Sequence, residues 1–236
     1  MAKSVLPSSL GLRGIALLDG LPAARLEALA RECAWRNYAA DQRIIARDAG
    51  DRDVYLIVSG RVRVTTYSAA GRQVTFRDFG AGEHLGEVAA IDGMPRSADV
   101  VALESSLLAS MPPASFRRLL RDEPAVAERL LRDFAGLVRR LSERVIDLST
   151  LGVHQRLHAE LLRLARAAGV SGNSARLEPA PKHAELASQV STYREQVTRE
   201  LSALAKAGVL GKDGRALVVR DVRRLEKMVE EVKAGA

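Results

Sequence analysis

The apolar positions change their period along the chain, and each change predicts a different kind of element. Between Leu21 and Trp35 they recur at helical spacing, with Leu26, Leu29, Ala30 and Cys33 on one face. From Asn37 onward come short β-like runs: Arg43 to Ala46, Val54 to Val58, Arg61 to Tyr67 and Gln73 to Phe79. Asp-Ala-Gly-Asp, Ser-Gly, Ala-Ala-Gly and Gly-Ala-Gly turn signals separate them. Within Arg61 to Tyr67, Val62, Val64 and Thr66 alternate with Arg61, Arg63 and Thr65, which predicts one buried and one wet face. Asp99 to Ala109 resumes the strands, and residues 1 to 14 read as a poorly ordered lead-in.

Pro124 suits the first turn of a helix, and Asp122 and Glu123 favour its positive end. Leu130, Phe134, Leu137, Leu141, Val145 and Leu148 then recur at steps of three and four, the pattern of one long amphipathic helix over about 124–149. Its stripe is long enough to pack both on the β region and on a twin helix in a second subunit. A further helix runs through Ala167 until Gly169 to Asn173 break it. Ala184 to Val190, a tight turn, and Tyr193 to Ala207 have the spacing of a helix-turn-helix. Val209-Leu210, a Lys212-Asp213-Gly214 turn and Ala216 to Val219 predict a hairpin wing, and Val222 to Val232 a closing helix. The expected fold is α+β. An N-terminal antiparallel β-roll, of jelly-roll or double-stranded β-helix type, carries the long dimerisation helix in residues 1–149. A winged helix-turn-helix fills residues 150–236.

A length of 236 residues supports two modest domains, and no run of apolar residues is long enough to span a membrane. The N-terminus lacks the pattern of a signal peptide, and the single cysteine, Cys33, excludes an internal disulfide, so a cytoplasmic location is expected. Cys33 reads as a buried structural thiol. The net charge of +7 is uneven: residues 149–236 hold 15 Lys+Arg against 10 Asp+Glu, whereas residues 1–148 hold 21 against 19. A basic domain attached to a near-neutral one suggests nucleic acid as a partner of the former, and the helix-turn-helix spacing makes double-stranded DNA the expected form.

Two constellations carry chemistry. In Leu85 to Ala98, Gly86 lets backbone approach a ligand, and Val88 to Ile91 can form a helical turn whose free N–H groups face an anion. Arg96 adds a planar charged fork, Ser97 a hydroxyl, and the backbone of Arg96 to Ala98 further donors. Glu87 would repel a bare anion but can accept from a sugar hydroxyl, so a phosphate fused to a ribose is implied. In the second helix of the helix-turn-helix, Arg194, Glu195 and Arg199 lie near the N-terminal end, where a major-groove helix meets base edges. Arginine can bond guanine O6 and N7 together, and a carboxylate can accept from the cytosine amino group. His154 and His158 are spaced for metal binding, but no third ligand is near in sequence, so they read as a surface pair and no metal is expected.

The Gly-Glu, eight-residue spacer, Arg-Ser-Ala spacing resembles the phosphate-binding cassette of cyclic-nucleotide-binding domains. With the long helix and Arg-Glu-x-Val-x-Arg, nearly the whole chain resembles the cyclic-AMP receptor protein and fumarate/nitrate reductase regulator family. That resemblance assigns Gly86, Glu87, Arg96, Ser97 and Ala98 to a cyclic nucleotide. It makes Arg194, Glu195 and Arg199 similar to base-reading residues of the cyclic-AMP receptor branch. It implies a homodimeric transcription regulator, not an enzyme, with no catalytic residues. Such a regulator acts on a TGTGA-like inverted repeat, with RNA polymerase as a further partner. Cyclic AMP is the first expected effector and cyclic GMP the second. The alternatives are a regulatory module acting through protein partners and a family member responding to another ligand or to none. Three departures stand out. The purine-contacting pair of the long helix reads Leu141-Ser142, which leaves Ser142, from this subunit or its partner, as the polar contact. Ser191 stands where a turn glycine is common, and Tyr193 where Ser or Thr caps the helix, which moves the expected cap to Thr192. The N-terminal cysteines of the iron-sulfur branch are absent.

Overall fold

The structure, a computed structural model, describes residues 3–4, 9–67 and 73–233. In its first part β1 (Lys3–Ser4), α1 (Ser9–Leu12), a 3-10 turn (Ala16–Leu18) and α2 (Ala23–Glu32) precede the strands β2 (Ala34–Tyr38), β3 (Arg43–Ile45), β4 (Val54–Ser59), β5 (Arg61–Tyr67), β6 (Gln73–Gly80) and β7 (His84–Leu85). Then come α3 (Glu87–Asp92), β8 (Asp99–Ala102), β9 (Ser106–Met111), α4 (Pro113–Asp122) and the long α5 (Pro124–Thr150). All strand pairs are antiparallel and build two sheets, ordered β1-β2-β9-β4-β7 and β3-β8-β5-β6.

The run Val54 to Ile57 is continuously apolar because β4 is covered on both sides. Val54 and Leu56 join a core with Leu12, Leu29, Phe116, Leu119, Val126 and Leu130 of the helices. Tyr55 and Ile57 point the other way, into a core shared by both sheets with Val62, Leu85, Val100 and Leu108. A strand between two apolar layers loses the alternation that marks a half-wet one.

Several expectations are corrected here. The described part of residues 1–14 is not loose: β1 pairs with β2, and Leu12 is wholly buried, while residues 1–2 and 5–8 lie outside the described residues. The first long helix stops at Glu32, because Cys33 takes an extended backbone (φ −89°, ψ 144°). Trp35 therefore belongs to β2, with its indole N–H donating to Ala30 O at 2.9 Å. Cys33 is buried, and that burial, with the charges of Glu32 and Asp53, pushes its thiol up to about 12. In β5 the register slips between Val64 and Thr65, so Thr65, expected on the wet face, is buried and bonds Val74 O at 2.9 Å. Residues 113–122, unassigned by periodicity, form α4, with Pro113 at its start and Phe116 and Leu119 in the core.

In the second part α6 (Val153–Ala168) is followed by β10 (Val170–Ser171), β11 (Ser174–Leu177), α7 (His183–Gln189) and α8 (Arg194–Lys206). Then β12 (Leu210–Asp213), β13 (Ala216–Val219) and α9 (Val222–Lys233) complete the described chain. The strands form one antiparallel sheet, β10-β11-β13-β12, over a core that includes Leu157, Leu161, Val197, Leu201, Leu204 and Leu225. The chain divides into two compact units, Met1–Leu137 and Val138–Ala236, so the division falls inside α5. Val126 and Leu130 of that helix are buried, whereas Leu131, Val138, Leu141, Val145, Ile146 and Leu148 are exposed.

Candidate functional site

In the first unit, Gly86 and Gly93 bracket α3 with left-handed backbones (φ 87° and 73°) that a side chain would strain. At Gly86 space matters too: a Cβ there would lie 2.7 Å from Arg96 Nη1 and 2.8 Å from Asp53 O. The glycine thus lets the turn close over the guanidinium. The first N–H groups of α3 have no partner within the helix and carry its positive end.

The cassette spacing predicts that Arg96 offers its charged fork to an anion. Instead its side chain is only 3% exposed. Nη2 donates to Asp51 Oδ2 and to Asp53 O, each at 2.7 Å, and Nη1 to Gly86 O at 3.1 Å. The Tyr55 ring lies 5.7 Å below, and burial pushes the Tyr55 hydroxyl pKa up, with the Asp51 charge adding to it. A buried guanidinium needs acceptors, and this one has found them within the protein. Among the described residues its Nε alone is buried without a partner. The Arg96 backbone N–H, also expected to face an anion, donates to Ala49 O at 3.2 Å. Ser97 is exposed, Ala98 is buried, and Glu87 is half-buried with its carboxylate in no hydrogen bond among the described residues. Asp51 was invisible to motif reading, since it lies 45 residues from Arg96 and only the sheet brings them together.

In the second unit, Arg194, Glu195 and Arg199 do converge. With Thr198 they line an open hollow of about 360 Å³ on α8, while Val197, Leu201 and Leu204 bury the opposite face. Spacing alone places Thr198, four residues after Arg194, between Arg194 and Glu195 on the helical wheel. Its hydroxyl donates to Arg194 O at 3.0 Å and lies 2.8 Å from His183 Nδ1, which ties the start of α7 to the reading face. Arg194 and Arg199 are exposed, and neither enters an ion pair among the described residues.

The turn between α7 and α8 is held by arginines. Arg156 donates to Val190 O at 3.0 Å and to Leu151 O at 2.7 Å, and Arg144 to Gln189 O at 3.4 Å. Burial lowers the Arg144 pKa, with the charge of Glu160 opposing the shift. Ser191 adopts φ 56°, the left-handed conformation that explains why glycine suits this place. The expected cap at Thr192 is not made. Tyr193 is the N-cap and makes no side-chain capping bond, and the buried Thr192 hydroxyl turns to the Gln196 side chain.

The histidine reading also changes. His158 is buried, and its Nε2 lies 2.6 Å from Glu200 Oε1, while His154 Nδ1 bonds Glu200 Oε2. Burial works to raise the Glu200 pKa, but the bonds and charges of His158 and His154 outweigh it and hold the carboxyl below its ordinary value. Among the described residues no three such side chains could hold a metal ion, and no helix is long and apolar enough to cross a membrane.

A β-roll with a guanidinium-centred cassette, followed by a winged helix-turn-helix, defines the architecture of a DNA-binding transcription regulator. The comparisons agree. Residues 35–123 match the cyclic nucleotide-binding domain and residues 155–228 the Crp-like helix-turn-helix domain. The chain is 30% identical to the cyclic AMP receptor protein of Thermus thermophilus, over 92% of this chain and 98% of that protein. It is 26% identical to the CRP-like cAMP-activated global transcriptional regulator of Mycobacterium tuberculosis, over 89% and 95%. The c-di-GMP responsive regulator CLP of Xanthomonas campestris shares the fold, with TM-score 0.72 and 21% identity over 84% of this chain and 99% of that one. The chain belongs to the cyclic-AMP receptor protein and fumarate/nitrate reductase regulator family. It is a transcription regulator rather than an enzyme.

Proposed function

We propose that this regulator binds a 3′,5′-cyclic purine nucleotide, cyclic AMP first and cyclic GMP second, and acts as a homodimer on a TGTGA-like inverted repeat. The observation that carries the ligand reading is the Arg96 cluster. A phosphate oxygen would give the unpartnered Arg96 Nε an acceptor and would compete with Asp51 for Nη2. The N–H groups opening α3 and the exposed Ser97 hydroxyl would bond the remaining oxygens, and the unpaired Glu87 carboxylate would take the ribose hydroxyl. Gly86 and Ala98 have side chains small enough for a close approach.

The exposed stripe of α5 supports the dimer. Leu131, Val138 and Val145 repeat every seven residues, as do Leu141 and Leu148 after Phe134, itself half-buried on the core of the first unit, which is the a/d seam of a two-stranded coiled coil. In this reading Leu141 serves the seam, and the exposed Ser142, from this subunit or its partner, reaches the purine. Arg194 and Arg199 would bond guanine, and Glu195 the cytosine amino group. The regulator would work in the cytoplasm on DNA also engaged by RNA polymerase. Cyclic di-GMP joins the ligands to be tested because the structural relative CLP is named as responsive to it.

Calorimetric titration with cyclic AMP, cyclic GMP and cyclic di-GMP, paired with binding to a TGTGA palindrome with and without each, tests the proposal. Cyclic AMP should bind below about millimolar and more tightly when the palindrome is present, since coupling between sites is reciprocal. Equal affinity with and without DNA would show that it does not promote DNA binding, and binding by none of the three would end the effector reading.

A further inference from the structure

We propose that His154, His158 and Glu200 are positioning residues that set the roll of α8 about its own axis, and so which base edges Arg194, Glu195 and Arg199 meet. The inference rests on those three residues being the base readers. Both oxygens of one carboxylate on α8 are taken, each by an imidazole, from two residues one turn apart on α6. A two-point attachment of this kind fixes rotation and sliding together. Leu157 and Leu161 of α6 and Val197 and Leu201 of α8 belong to one buried apolar core, and apolar packing is non-directional.

At about 100° per residue, Glu200 points away from the hollow that Arg194, Glu195, Thr198 and Arg199 line, although it directly follows Arg199 in sequence. Its side chain is 14% exposed and that of His158 is 7% exposed, so neither is a solvated surface charge. Among the described residues His158 Nδ1 is buried with no partner, so the ring is held through Nε2 at Glu200. His154 is 64% exposed and steadies the second oxygen from the solvent side. A carboxylate so held is also kept off the face that approaches a polyanion.

The test uses the full-length protein and selection from a random-sequence duplex library, with and without cyclic AMP, so that it does not depend on one operator. In a His158→Leu/Glu200→Leu double variant the pair gives way to apolar side chains that can maintain the packing. Its melting temperature should stay close to that of the wild type while enrichment of the preferred half-site over single-base variants falls by about fivefold or more. Glu200→Gln keeps the length and one acceptor and should fall in between; it also serves if the double variant does not fold. Arg199→Ala is the control. If Arg199→Ala changes the preferred sequence and both clasp variants retain that of the wild type, the clasp proposal is overturned while the base-reading stands. If Arg199→Ala leaves the preference untouched, or the wild type selects no sequence, the base-reading fails and the positioning role falls with it.

Discussion

Arg96 and the pair Arg194 and Arg199 have the same guanidinium chemistry in opposite surroundings. Arg96 is buried on Asp51, Asp53 O and Gly86 O, with one donor left over. Arg194 and Arg199 stand exposed on α8 over an open hollow. The desolvation of Arg96 is met during folding, by acceptors of the protein itself, so its position is set before any ligand arrives. The other two keep their water until a partner displaces it. Under the function proposed above, the difference suits the partners: one small anion bound once in a fixed pose, against a long polyanion that is approached, sampled and left.

The sharpest way to break this comparison is Arg96→Ala. It removes the only full positive charge of the cassette, and losing a charge-assisted bond to phosphate costs on the order of 2 to 5 kcal/mol, so cyclic AMP should bind at least about tenfold more weakly. Unchanged calorimetric affinity would remove Arg96 from the site. On the exposed side, Glu195→Ala should relax preference at one base pair, by roughly 1 to 3 kcal/mol of discrimination, and leave the others in place. A uniform loss over all sequences, measured on a panel of single-base variants, would make it a residue of general DNA contact instead. The smallest effect concerns the internal competitor. Asp51→Asn preserves the acceptor oxygen but gives up the charge; because Asp51 is 46% exposed, the gain for an incoming phosphate is screened, and affinity should rise by only about threefold. Weaker binding would mean that Asp51 holds Arg96 in place for the ligand rather than contending with it.

The elements of both units were legible wherever one face is dry and the other wet. The α5 stripe, the α7 and α8 pair and the β12–β13 hairpin fall close to where periodicity and turn residues put them, because those signals act over a few residues. Reading faltered where a neighbour decides. Trp35 looks helical until the sheet claims it, and Thr65 looks wet until a slip in register turns it inward. The same division holds at the sites. Gly86, Arg96, Arg194 and Arg199 are candidates that spacing alone picks out, since each motif lies within one loop or helix. Asp51 on Arg96 and Glu200 on His154 and His158 are partners 42 to 46 residues apart.

Sequence alone determined which residues can be helix, strand, cassette and reading head, because propensity, turn chemistry and motif spacing are local. Only the tertiary structure decided that Arg96 faces inward, that His158 is buried and that Glu200 is held against α6. Those outcomes depend on which distant acceptor lies within about 3 Å once the chain has closed on itself.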